Sequence, residues 1–146
     1  MSLLEPPAES NQKSRAAIFT VVALSAVAIV VLWLAFRYYP EERAARHFFD
    51  AVVAGDMDGA YRLWKPGGSY EMKDFLADWG PQGYYGPVKS YKILKTSTGG
   101  SGSVAVRVGI SPFSPMPDIN EAEKNRKTKV LSVWIQTSDK SFSFPP

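Results

Sequence analysis

From Ala16 to Phe36 the chain reads AAIFTVVALSAVAIVVLWLAF, with no charged residue and with Thr20 and Ser25 as its only hydroxyl side chains. At ~1.5 Å rise per residue, a helix of this stretch measures about 31 Å, close to the ~30 Å hydrocarbon core of a bilayer. Apolar residues run around every side of it, so no polar stripe is left to face water. The pattern predicts one membrane-spanning helix over residues 16–38. A cleaved secretory signal has a shorter apolar core, ~7 to 15 residues, and a small-x-small cleavage site. Here the core is longer and runs into Phe36-Arg37-Tyr38-Tyr39-Pro40, so retention as an anchor is the expectation. Trp33, Tyr38 and Tyr39 then form an interfacial aromatic set, with Arg37 snorkelling toward headgroups. Ahead of the span, Met1 to Ser14 carries Pro, Glu, Ser, Asn and Gln with few apolar residues. Such a composition builds no core, so residues 1–15 are expected as a mobile tail.

After Pro40 the period changes to about 3.6. Ala45, Phe48, Phe49, Val52 and Val53 share a face, with Pro40 at a first-turn position and Gly55 as a C-terminal cap, giving a helix from Glu41 to Ala54. Asp56 reads as the N-cap of a second helix carrying Ala60, Tyr61, Leu63 and Trp64, and Ser69 as the cap of a third carrying Met72, Phe75, Leu76 and Trp79. From Gly83 onward the pattern is that of strands: Val88 to Thr96, a Gly/Ser hairpin loop, then Val104, Val106, Val108 and Ile110 alternating with Ala105, Arg107, Gly109 and Ser111. Pro112 to Asp118, with three prolines, reads as a loop. Lys127 to Gln136 and Ser141 to Phe144 are the remaining strands. Helices followed by four antiparallel strands make an α+β order, and the domain is expected over residues 41–146.

Composition agrees with a folded domain behind an anchor. All seven Tyr, three of the four Trp and six of the eight Phe lie after Phe36. Glu5, Glu9, Lys13 and Arg15 cancel, so the formal net charge of +3 belongs to the C-terminal part. That surplus is too small to argue for nucleic acid. With no Cys there is no disulfide, thiolate metal site or thiol nucleophile. Basic residues flank the span on both sides, Lys13 and Arg15 against Arg37, Arg43 and Arg46, and leave its orientation open.

Phe48 and Phe49 ahead of Gly55-Asp56, then Asp58 and Ala60-Tyr61-Arg62-Leu63, resemble the opening of nuclear transport factor 2-like domains, the cone-shaped fold also seen in ketosteroid isomerase. The resemblance implies three short helices packed on a curved, four-stranded antiparallel sheet. Membrane-tethered domains of this type commonly face outward from the bacterial cytoplasmic membrane, which implies an extracytoplasmic domain here. The fold serves enzymes, binders and assembly subunits alike and does not decide function.

Catalytic members of that family use pocket-lining Asp, His and Tyr groups. His47 is the chain's one histidine, and a solvent-facing or helix-packing place suits it better than a pocket base. Asp56 and Asp58 are placed for capping and dipole compensation rather than paired acid/base work. Tyr61, Tyr84 and Trp134 are the candidate pocket-lining residues, although an aromatic loop packed on the sheet suits Tyr84 and Tyr85 better. The run Lys124, Arg126, Lys127 and Lys129 lies beside Glu121 and Glu123 and enters a strand, where lysines guard an edge against mispairing. No metal-ligand spacing and no phosphate-cradling Gly loop before a helix is present, so no cofactor is expected.

Two function classes follow. One is a non-catalytic single-pass subunit, its helix packed in the bilayer against integral membrane partners and its domain covering a respiratory, photosynthetic or similar assembly. Ala16, Thr20 and Ala23 recur at helical spacing on the span and permit close helix contact, although Val27 interrupts the stripe. The other is an anchored domain that binds a small apolar molecule or, as the lesser alternative for want of an acid/base set, isomerises it. The strand register is testable: Val106→Asp should bury an unpartnered charge and abolish the cooperative thermal transition of the domain. Unchanged melting would refute the alternation.

Overall fold

A computed structural model describes residues 9–114, 122 and 126–145. The chain forms two compact units, Met1–Arg37 and Tyr38–Pro146. In the first, α1 (Glu9–Phe36) is one continuous helix. The expected tail is therefore shorter, since Glu9 to Arg15 extend the helix; residues 1–8 lie outside the described ones. The two hydroxyls of the apolar stretch turn inward on its backbone: Thr20 Oγ1 donates to the Ala16 carbonyl at 2.9 Å and Ser25 Oγ to that of Val21 at 2.8 Å. Neither polar group then needs a partner from the surroundings. The large apolar side chains of α1 are 49 % exposed at Leu34 to 74 % at Phe19, and the helix is long and apolar enough to cross a membrane.

The second unit is α+β. It consists of α2 (Tyr39–Ala54), α3 (Met57–Trp64), α4 (Met72–Trp79) and an antiparallel sheet of β1 (Ser90–Thr98), β2 (Ser103–Ser111), β3 (Lys129–Gln136) and β4 (Phe142–Ser143), in sequential order. Gly55 closes α2 in the left-handed region at φ 77°, which a side chain would strain, and Asp56 caps α3 by accepting from the Gly59 N–H at 2.9 Å. The cap of α4 is not Ser69. Glu71 takes that position in a capping box with Asp74, the third residue of the helix, whose carboxylate accepts from the Glu71 N–H at 3.0 Å.

The helices bury one face of the sheet. Val104, Val106, Val108 and Ile110 of β2, with Leu131, Val133 and Ile135 of β3, meet Phe48, Phe49, Trp64, Phe75 and Trp79 in a single core. Phe48, with no exposed surface, is its hub: its ring lies 5.1 to 6.2 Å from those of Phe49, Trp64, Phe75, Trp79 and Phe142. The other sheet face carries exposed Arg107, Leu94 and Val130. Gly86 lies so close to the Gly80 carbonyl that a Cβ there would sit 1.8 Å from its oxygen, which holds the Gly83 to Gly86 loop against the end of α4.

One irregularity sets how α2 meets the sheet. The register of β1 on β2 shifts between Ile93 and Lys95, a bulge at Leu94. Before it, Tyr91 and Ile93 face the core; after it, Thr96 and Thr98 take the same face, whereas strict alternation would have sent them to the opposite one. Their hydroxyls then reach Glu42 of α2 and Tyr38, the residue that caps its start. Thr96 Oγ1 donates to Glu42 Oε1 at 2.6 Å, the Thr98 and Tyr38 hydroxyls lie 2.7 Å apart, and Tyr91 donates to Asp50 Oδ1 at 2.7 Å. Tyr38 is thus half-buried and tied to the domain, and the second compact unit begins at Tyr38. Tyr39 is 56 % exposed and Trp33 64 %.

Phe48→Ala should destabilise the domain by about 3 to 5 kcal/mol, read as a fall in the midpoint of chemical denaturation. A loss below about 1 kcal/mol would mean that the aromatic cluster is not the hub of the core.

Candidate functional site

The three residues expected to line a common pocket are not brought together. Tyr61, on α3, lies edge-on to Phe75 with ring centres 5.5 Å apart and donates its hydroxyl to the Tyr70 carbonyl at 3.0 Å. Tyr84 is 71 % exposed, beneath the Lys129 ammonium at 5.0 Å. Trp134 projects from β3 with the opposite parity to Val133 and Ile135, both fully buried, and so leaves the core face altogether. Period-2 alternation puts Trp134 on the face opposite Val133 and Ile135.

Side chains occupy the space between helices and sheet where a ligand would lie. Trp79 stacks on Tyr85 at 4.9 Å and on Phe144 at 6.1 Å, while Trp64 stacks on Phe142 at 5.4 Å. Of the loop tyrosines, Tyr85 therefore joins the core and Tyr84 covers the surface.

The phenols near carboxylates are built to stay protonated. Tyr70 donates to Asp78 Oδ2 at 2.6 Å. Burial first, then that hydrogen bond and the Asp78 charge, raises its pKa well above the usual phenol value. Burial and Asp78 act on Tyr85 in the same direction. Tyr91 is pushed up to about 12 from 10.0 by burial and by its bond to Asp50. None of the three is poised as a base or nucleophile at neutral pH. Asp56 and Asp58 are exposed at the start of α3. Among the described residues, no group of three or more His, Asp or Glu could hold a metal ion.

A different hollow, of about 300 Å³, opens between α2, α3 and the start of β4. Ala44, Leu63 and Phe142 give it an apolar floor, and Arg43, His47, Lys65 and Lys140 surround that floor. Two of these lysines sit in the left-handed region, Lys65 at φ 50° and Lys140 at φ 60°. Their ammonium groups close the β3–β4 turn onto the helices: Lys65 donates to the Asp139 carbonyl, and Lys140 pairs with Glu41 Oε1 at 2.7 Å. Glu41 is 4 % exposed, so its charge is answered by Lys140 and not by water. The Ser141 N–H and then its hydroxyl, with the Lys65 charge behind them, hold the nearby Asp139 carboxyl below its usual pKa. His47 itself is exposed at the rim. No sequence motif announces this site, because its residues come from three segments far apart in the chain.

The basic run separates by position. Arg126 and Lys127 are exposed, with Lys127 over the Phe113 ring at 5.4 Å. Lys129 starts the part of β3 that β4, pairing only with Trp134 and Ile135, leaves uncovered, which is where an edge-protecting lysine belongs. Lys124, Glu121 and Glu123, like part of the Pro112 to Asp118 loop, lie outside the described residues. Comparison with known protein families, with characterised proteins and with solved structures gives no match.

The tyrosine bonds give a pH signature. For Tyr91 the folded pKa, about 12, lies above the unfolded 10.0. Its contribution is therefore complete below pH 10 and is lost as pH rises through the folded value. Denaturation midpoints should fall between pH 10 and 12, and Tyr91→Phe should flatten part of that fall while costing about 1 kcal/mol at pH 8. An unaltered alkaline slope in the variant would contradict the Asp50 bond.

Proposed function

We propose that this chain is a single-pass membrane subunit without catalytic activity of its own. In this reading α1 lies in the bilayer of a cell membrane, and the Tyr38–Pro146 domain stands in water, where it covers or stabilises integral membrane proteins of a larger complex. The observation that carries the proposal is the Ala16 to Phe36 part of α1: a helical stretch apolar on all sides, with its two hydroxyls, Thr20 and Ser25, turned onto its own backbone, has lipid or other apolar helices as its natural surroundings. The aromatic filling of the domain supports a covering role over turnover, since the interior is taken up by Phe48, Trp64, Trp79 and Tyr85. On the resemblance of its opening helices, the domain is a nuclear transport factor 2-like fold facing the extracytoplasmic side. The α+β order is consistent with that assignment.

A second reading keeps the anchor and gives the domain a small-molecule ligand. What favours it is the hollow beside His47, whose volume of about 300 Å³ reaches the lower end of ligand-site sizes.

Extraction of native membranes in mild detergent, followed by native gel electrophoresis, separates the two. The subunit reading expects the chain to migrate with a much larger species. Migration as a lone small protein under conditions that preserve other complexes would contradict it.

A further inference from the structure

The geometry points to the hollow between α2, α3 and β4 as a binding site for the phosphate headgroup of an anionic phospholipid. This deepens the anchored reading and rests on α1 lying in the bilayer.

The first support is charge. Four residues able to carry positive charge, Arg43, His47, Lys65 and Lys140, converge on the hollow, and among the described residues no carboxylate lines it. Glu41 neutralises Lys140 from behind the wall, whereas Arg43 has no ion-pair partner among the described residues. Its planar guanidinium suits a phosphate. The floor of Ala44, Leu63 and Phe142 would accept the glycerol and first methylenes of a lipid rather than a fully hydrated ion.

The second is backbone conformation. Two lysines held at positive φ, a region that side chains seldom occupy, flank the same opening. Their ammonium groups are held by the Asp139 carbonyl and by Glu41 and the Thr137 carbonyl, which leaves less to be ordered when an anion arrives.

The third is position in the chain. Pro40, which lines the hollow, follows Phe36, the last residue of α1, by four residues in sequence. Each basic residue near an anionic surface contributes about a fivefold gain in affinity, so a site of this kind adds a lipid preference to an anchor that needs none for insertion.

The chain's one histidine provides the probe. The imidazole resonances of His47 are followed by NMR in the full chain, reconstituted in nanodiscs of phosphatidylcholine with increasing phosphatidylglycerol. The expected result is a saturable shift with phosphatidylglycerol. Half-saturation should need about five times more of that lipid in Arg43→Gln and in Lys65→Gln, and the same amount in Lys92→Gln, a change on exposed β1 surface. An equal shift from millimolar inorganic phosphate in pure phosphatidylcholine discs would overturn the lipid as source in favour of free phosphate. Equal weakening by Lys92→Gln, or no shift in the wild type, would overturn the site while leaving the anchor intact. A chain that fails to co-elute with the discs would overturn the anchor, and the site with it.

Discussion

The uncharged apolar stretch from Ala16 to Phe36 is the constraint on which the rest depends. Thr20 and Ser25, its only hydroxyl side chains, spend their hydrogen bonds within the helix. Water gains nothing by contact with such a surface, and the hydrophobic effect drives it toward lipid or protein. Two residues past its end the chain starts to do the reverse. Tyr38, Glu42 and Asp50 turn polar groups onto β1, and Phe48 and Phe49 turn rings onto the core. The switch from all-round apolarity to a two-faced helix therefore coincides with the boundary between the two units.

Within the domain, the bulge at Leu94 and the aromatic hub act together. The bulge allows one strand to present Tyr91 and Ile93, then Thr96 and Thr98, to the same helix. Hydroxyls line its edge and rings fill its middle. Consequently α2 is fixed on β1 by directional bonds as well as by packing, and the interior has little room for a ligand. The volume that remains lies outside the core, where the β3–β4 turn folds back on α2 and α3 through Lys65 and Lys140.

Much of this was legible in the sequence, and what was missed has physical reasons. The 3.6 period fixed the faces of α2, α3 and α4, Asp56 announced its cap, and the alternation of β2 gave Val104 to Ile110 their side. The start of α1 was missed because Glu9 to Arg15 carry helix-compatible polar residues that a search for apolar pattern passes over. Parity alone cannot see an inserted residue, so the facing of Thr96 and Thr98 was hidden. Glu71 lost to Ser69 in the reading since serine is the commoner cap, while the Glu71–Asp74 reciprocity decides the case. Trp134 was drawn toward a pocket by its aromatic character, against its own strand parity. The His47 hollow is assembled from segments around residues 40, 65 and 140, a proximity created only by the sheet and its turn.

The central claim, that α1 lies in lipid while the domain stands in water, is open to direct measurement, because a chain without cysteine accepts single reporters cleanly. Ile29→Cys and Lys92→Cys place one thiol in the apolar stretch and one on exposed domain surface. In intact membranes, exposed to a water-soluble maleimide on both sides, the account expects Lys92→Cys to react and Ile29→Cys to stay unlabelled until the bilayer is dissolved in denaturing detergent. Equal labelling rates for the two thiols in undisturbed membranes would contradict it.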